Sequence, residues 1–305
     1  MFLNKLFKKN KGIILINGGT KQFSQDFLLA CENKNINCFK LKASNCILSI
    51  KNKETKITQD NQIIDTEKYS NAFIRIKGKS PHMTALISRI LNHKKINVND
   101  KVNLSSTIKE SEKHSFNDEK ITQMISLSQS NLSVPDTFIF SKKSFELNKE
   151  TILKNINFPC VFKSSGNKGK AVWKVNNIEE IGNLIYETEN ELMMIQELLE
   201  LEYDVRALIF KDIYFGAIKR TSTDGFYTNV SKGGDAELIE LTKKEVDLSK
   251  KACKAVGIDF GGVDFTRTKN GIKFFEVNKS PQIKGFQSAT GINIPEKIVQ
   301  TIDSK

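Results

Sequence analysis

With 305 residues, 39% hydrophobic and 27% charged, and only 5 Pro and 17 Gly, the chain has material for a large core and excludes a fibre, a mucin-like stalk or a wholly disordered segment. Lys and Arg number 47 against 35 Asp and Glu, a net charge of +12, and residues 1–100 hold 18 basic against 7 acidic side chains, so nearly all the excess lies in the first third. That third reads either as a Lys-rich solvated surface or as a field for an acidic partner: nucleic acid, a membrane surface or a carboxylate-rich substrate.

In chain order, the apolar run Gly12 to Asn17 predicts a strand that ends in the turn Gly18-Gly19. A helix over about Gln22–Asn33 follows, with Phe23, Phe27, Leu28 and Cys31 on one side. Strands are predicted over about Asn37–Leu41, Ile47–Ser49, Thr55–Thr58 and Ala72–Ile76, then a helix over about Met83–Asn92. This makes residues 12–100 one basic α/β domain, and the polar, weakly periodic stretch 101–117 a connector. A helix at Asp118–Gln129 opens a second lobe, continued by strand Thr137–Phe140, helix Phe145–Asn155, strands Cys160–Lys163 and Ala171–Val175, helix Ile178–Thr188 and strand Met193–Glu197. The last lobe, 196–305, carries strands Asp204–Phe210 and Ile213–Arg220 and a helix over Lys243–Val256. A strand pair, Val263–Arg267 with Ile272–Val277, and a terminal helix from Ile294 complete it. The fold class is therefore α/β with mixed lobes.

Cys31, Cys38, Cys46, Cys160 and Cys253 form no CxxC pair and His82, His93 and His114 no HExxH spacing, which argues against structural zinc and a disulfide framework. Gly12 to Ile16 is too short for a signal-peptide core, and no stretch approaches 18 apolar residues, so the expectation is a cytoplasmic chain without a membrane span. Gly78-Lys79-Ser80 lacks the earlier Gly of a P-loop, since Phe73 stands there; Gly169-Lys170 is followed by Ala171, and GxGxxG is absent. The strand ending at Lys163 runs into the small-residue loop Ser164-Ser165-Gly166-Asn167-Lys168-Gly169-Lys170 and then a second strand. This is either an ordinary β-hairpin or a fixed ammonium with backbone N–H groups around a polyphosphate. Asp264 and Glu276 lie on strands joined by the turn Lys269-Asn270-Gly271, and Asn278 shares the face of Glu276. Three oxygen donors at strand ends suit Mg²⁺ beside phosphate, and two adjoining carboxylates without a cation would repel.

These pieces in this order resemble the ATP-grasp superfamily and, within it, the RimK-like carboxylate–amine ligases, over roughly Asp118 to Ile298. The matching segments are Glu119-Lys120, Leu132-Ser133-Val134-Pro135-Asp136-Thr137, Phe158-Pro159-Cys160-Val161-Phe162-Lys163 with its loop, and Gln196-Glu197-Leu198-Leu199. Further on they are Asp204-Val205-Arg206, Thr228-Asn229, Gly262-Val263-Asp264, Phe275-Glu276-Val277-Asn278 and Gly285 to Ile294. Three departures touch the acceptor side: Tyr227 where relatives carry Arg, Gln282 where they carry Gly, and a short stretch between Glu197 and Asp204.

The resemblance implies an ATP-grasp fold with an N-terminal α/β pre-ATP-grasp domain. It also implies transfer of the γ-phosphate of ATP to a carboxylate, followed by attack of an amine on the acyl phosphate. Lys120 and Lys163 then hold phosphates. Ser164, Ser165, Gly166 and Gly169 cover them, and the hinge Glu197, Leu198, Leu199 meets adenine, with Asp204 at the ribose. Mg²⁺, or alternatively Mn²⁺, sits on Asp264, Glu276 and Asn278, and Arg206, Arg220 and Asn229 serve the transferred group. Arg220 also reads as a solvated charge, Asp204 as a turn cap and Trp173 as core. The expected partners are an acidic peptide or protein acceptor and an amino acid or a side-chain amine or hydroxyl as donor, with leader-peptide binding and a homo-oligomer left open. Relatives extend a protein tail with glutamate, load an acidic carrier protein, or crosslink a precursor peptide. A nucleotide-binding protein that makes no amide, and a nucleic-acid binder using the basic lobe, are the rival classes; no recognised nucleic-acid module accompanies the charge.

Overall fold

The computed structural model describes residues 12–51, 54–76, 78–100, 120–164, 172–188, 192–199, 201–221 and 236–304. Gly12–Ile16 (β1) is apolar and buried at every position, as a central parallel strand must be when both faces are covered. Thr20 then caps Lys21–Glu32 (α1) by accepting from the Phe23 N–H, and Phe23, Phe27 and Cys31 turn inward together. Cys38–Leu41 (β2) lies parallel to β1. Cys46–Lys51 (β3), Glu54–Gln59 (β4) and Gln62–Ile63 (β5) make a separate antiparallel sheet. Tyr69–Ile74 (β6) takes the other side of β1; Pro81–His93 (α2), opened by a Pro that fits the first turn, leads to Asn97–Val98 (β7). The strand order is β2-β1-β6-β7.

Lys120–Gln129 (α3) comes next among the described residues, and the expected connector 101–117 lies outside them. Thr137–Phe140 (β8), Lys142–Asn155 (α4), Cys160–Ser164 (β9), Val172–Val175 (β10), Ile178–Glu187 (α5) and Met193–Glu197 (β11) follow. The strands form an antiparallel sheet of order β10-β9-β11-β8. A Ser141–Ser144 capping box starts α4 and Asn177 caps α5. Their apolar faces close over Phe140, Phe162 and Ile195, with Trp173 packed 5.8 Å from Phe162 as core.

The third sheet, β14-β13-β12-β15-β16, is built from Tyr203–Phe210 (β12), Ile213–Thr221 (β13), Ala236–Leu238 (β14), Phe260–Thr268 (β15) and Gly271–Asn278 (β16). Lys243–Ala255 (α6) precedes β15, and Lys284–Thr290 (α7) and Ile294–Asp303 (α8) end the described chain. Period-2 alternation sorts its side chains. Val205, Ala207 and Ile209 face α6 and also α3, whose Ile121, Met124 and Leu127 are buried there rather than on the sheet that follows α3 in sequence. Leu208, Phe210 and Phe260 face the N-terminal layer, where Phe73 stacks on Phe27 at 5.7 Å and meets Phe210 and Phe260 edge-on at 5.5 and 5.6 Å. Each fully buried Phe contributes about 1.5–3 kcal/mol, so this cluster fixes the first layer on the third sheet. Farther along the same face the apolar residues give way to Arg206 and Asp204.

A second tie joins the same layers. Asp100 Oδ1 accepts from the Asp259 and Phe260 N–H groups at 2.7 and 3.1 Å, and Asp259 Oδ2 accepts from the Asp100 N–H at 3.0 Å. Burial pushes the Asp100 carboxyl up from 3.8 to about 6, against the opposing pull of Lys279 and these N–H groups. The native state therefore holds this proton more tightly than the unfolded chain. The stabilisation is complete below pH ~4 and is lost as pH rises through about 6. At ~1.4 kcal/mol per pH unit, the interval from 3.8 to about 6 bounds the effect at about 3 kcal/mol. Asp100→Asn, which has no such proton, should gain on the native chain in urea unfolding between pH 4.5 and pH 7; a gap independent of pH would refute the assignment. Among the described residues no helix is long and apolar enough to cross a membrane.

Candidate active site

Strand register lines up one row of charge. Asp264 of β15 pairs with Glu276 of β16 on one side and with Arg206 of β12 on the other, and Asp204 of β12 pairs with Arg220 of β13. Arg206 grips Asp264 bidentately, Nε to Oδ1 at 2.7 Å and Nη2 to Oδ2 at 2.5 Å. Arg220 grips Asp204 in the same way, with Nε to Oδ1 at 2.6 Å, and its Nη2 also lies 3.1 Å from Asp264 Oδ2. Asn278 donates from Nδ2 to Asp264 at 3.0 Å and to Glu276 at 2.9 Å, and Lys120 reaches Glu276 at 3.0 Å from the start of α3. Arg220 is 3% exposed, so it is no solvated surface charge.

The electrostatics follow from this packing. Burial alone would raise Glu276, but Lys120, the Asn278 amide and Arg206 outweigh it and hold the carboxyl at about 2. Glu276 in return raises Lys120. Burial works against the charge of Arg220, yet Asp264 and Asp204 more than offset it, so the guanidinium stays firmly protonated. Lys163 has less support: burial and the nearby charge of Lys120 push it down to about 8, with Glu276 opposing. Its ammonium donates to Gln196 Oε1, and Gln196 in turn donates to Thr137 Oγ1 at 2.7 Å, which anchors Lys163 across β9, β11 and β8. The cluster thus sets Arg206, Arg220, Lys120 and Lys163 against Asp204, Asp264 and Glu276, an excess of one positive charge that favours a polyphosphate.

Among the described residues no group of three or more His, Cys, Asp or Glu is arranged to hold a metal, so the oxygen set here is two carboxylates and the Asn278 amide. Hard oxygen donors of this kind fit Mg²⁺, which takes few protein ligands and completes its shell with phosphate and water.

Glu197 ends β11, where the hinge was expected. Its carboxylate binds the Lys273 ammonium and accepts from the Asp136 N–H at 3.0 Å, while Leu198 and Leu199 continue from it as non-strand backbone. Asp204, expected at the ribose, gives both carboxylate oxygens to Arg220. Ser164 is buried at the end of β9. Ser165, Gly166, Gly169, Tyr227 and Asn229 lie outside the described residues. Three contributors were assigned no role from the sequence. Gln196 positions Lys163 and Lys273 pairs with Glu197. Gln123 clamps the backbone between Glu276 and Asn278, donating to the Val277 carbonyl at 3.0 Å and accepting its N–H at 2.8 Å. Of the three, only Gln196 falls in a segment that carries the family resemblance.

This fold is that of the ATP-grasp ligases. The structure of ATP-grasp ligase PsnB complexed with minimal precursor superposes with a TM-score of 0.72, covering 97% of this chain and 99% of that one at 16% identity. Macrocyclase MdnB from Microcystis aeruginosa MRC superposes at 0.63 over 96% and 99%, again at 16% identity. Within that class, the RimK-like ATP-grasp domain model matches residues 117–302, and the chain belongs to that family. A probable alpha-L-glutamate ligase 1 of Shewanella frigidimarina (strain NCIMB 400) is 39% identical over 101 residues, 33% of this chain and 34% of that protein. Such matches span between 34% and 39% of the length of these curated relatives.

Proposed function

We propose that this chain is an ATP- and Mg²⁺-dependent carboxylate–amine ligase that forms an amide on an acidic peptide or protein through an acyl phosphate. The observation that carries the reading is the single row Arg220–Asp204–Arg206–Asp264–Glu276–Asn278 with Lys120 and Lys163 beside it. Lys120 and Lys163 bind phosphate oxygens, and a phosphate beside Lys163 restores the charge that burial weakens. Backbone of Glu197 to Leu199 meets the adenine edge. The side chain of Glu197, held by Lys273 and Asp136, fixes that backbone. Asp264, Glu276 and Asn278 would hold Mg²⁺, which when bound offsets the charge of the phosphate oxygens.

The acceptor carboxylate attacks the γ-phosphorus and ADP departs; the amine then attacks the acyl carbon, phosphate leaves, and the amine loses a proton. Arg206 and Arg220 stabilise the phosphoryl and acyl-phosphate oxygens, and Asp204 orients Arg220 instead of serving the ribose directly. Ser164 to Gly169 retain their proposed role as phosphate cover, and Asn229 its proposed role at the transferred group. The family match, the glutamate-ligase relatives and the precursor peptide PsnA2 bound in a structure of PsnB all support a peptide-directed ligase.

The likeness to a macrocyclase, MdnB, supports a second form of the same chemistry, in which donor and acceptor belong to one precursor peptide. Intact-mass spectrometry with ATP, Mg²⁺, pooled amino acids and acidic peptides, including short peptides encoded beside the gene, separates the two. An added amino-acid mass means extension, and loss of water means crosslinking. ADP formation with no mass change in any peptide would overturn amide formation and leave a nucleotide-consuming protein that is not a ligase.

A further inference from the structure

Arg75 follows β6 in the N-terminal layer and is only 8% exposed. Its guanidinium carbon lies 5.2 Å from the Phe23 ring centroid and 5.7 Å from that of Phe260, between α1 and the start of β15. No carboxylate faces it among the described residues, Nη1 has no hydrogen-bond partner there, and burial lowers its pKa to about 10. A buried cation without a counter-ion is costly, so its hydrogen bonds show what it serves. Nη2 donates to the Pro281 carbonyl at 2.7 Å, and the Arg75 carbonyl accepts from Ser280 Oγ at 3.3 Å.

That reciprocal pair spans more than two hundred residues and lands directly after Asn278. Pro281 in turn leaves no space at Gly262, the cross-strand partner of Asn278. A Cβ there would stand 2.8 Å from Pro281 Cβ and 3.5 Å from Arg206 Cδ. The Ser280–Pro281 turn is thus wedged between Arg75 and the strands that carry Asp264, Glu276 and Asn278.

We propose that Arg75 is a positioning residue that holds the Ser280–Pro281 turn and thereby seats Asn278 in the cation-binding row. The inference rests on the ligase reading above, because it takes Asp264, Glu276 and Asn278 as the Mg²⁺ ligands. It gives the N-terminal layer a part in the phosphoryl-transfer site apart from contact with the acceptor.

The test is calorimetric titration of MgCl₂ into the full chain saturated with AMPPNP, using the native sequence, Arg75→Met, Arg75→Lys and Ser280→Ala, with each fold checked by circular dichroism. Arg75→Met should weaken Mg²⁺ binding about fivefold or more. Arg75→Lys, which keeps one donor for the Pro281 carbonyl, should recover part of the loss, and Ser280→Ala should show a smaller shift in the same direction. A purely structural role would lower the thermal midpoint of Arg75→Met and leave its Mg²⁺ dissociation constant within twofold of native, which would overturn the proposal. If Arg75→Met does not fold, an unmoved constant in both Arg75→Lys and Ser280→Ala overturns it equally. Failure of the native chain to bind Mg²⁺ would remove the ligase reading and this inference together. Native binding with unmoved variants removes this inference alone.

Discussion

Glu276→Gln should cut ATP consumption by about 10²–10³-fold while leaving the chain folded. The change removes one negative charge and keeps the shape, and Glu276 sits at the rim of the row with about a fifth of its side chain exposed, so no deep ion is stranded. Its other partners limit the structural damage: Gln can still accept from the Asn278 amide, and Lys120 remains partly solvated. The consequence for the nucleotide has a definite sign. Losing a carboxylate from a row already one positive charge in excess strengthens the field on a polyphosphate, so AMPPNP in EDTA should bind as tightly as to the native chain or tighter. With Mg²⁺ added, the gain seen in the native chain should disappear. Nucleotide titrations with and without metal, beside ADP release, make the comparison. Turnover within about threefold of native would mean that Glu276 is not a cation ligand.

Part of the row was legible in the sequence: period 2 puts Glu276 and Asn278 on one face, and the tight turn makes the strand that carries Asp264 their antiparallel neighbour. The exact pairing was not, because the register set at the Lys269-Asn270-Gly271 turn would carry Asp264 opposite Phe275, and a bulge between Asp264 and Phe265 brings it opposite Glu276 instead. The apolar run of β1 was plain, since burial on both faces leaves a local pattern. What escaped was non-local. The sequence of α3 shows an apolar face but not that this face reaches the third sheet, nor that Gln123 grips Val277 154 residues away. The pairing of Asp204 with Arg220 is set by the register of β12 on β13, which includes a bulge between Leu208 and Ile209. The two ring neighbours of Arg75 and its carbonyl partner come from three separate parts of the chain. The short β14 and α7, with three and seven residues, are too brief to show a period.

Arg220→Met should destabilise the chain by about 3–5 kcal/mol, the usual result of removing one member of a buried ion pair. Arg220 and Asp204 are 3% and 5% exposed, so water cannot replace the lost guanidinium. Asp264 still has Arg206 and Asn278, which confines the damage to Asp204. Asp204→Leu combined with Arg220→Met removes both charges and restores apolar volume, and buried pairs exchanged in this way commonly recover most of the stability. Urea unfolding of the two single variants and the double variant gives the coupling directly, and a loss under 1 kcal/mol in Arg220→Met would show that the pair is hydrated in solution. Activity should follow a different course. If Arg220 faces the transferred phosphoryl, ADP formation should stay low in the re-stabilised double variant, because the fold has been repaired and the charge has not. Recovery of both together would reduce Arg220 to a structural ion and leave Arg206 alone to meet the acyl phosphate.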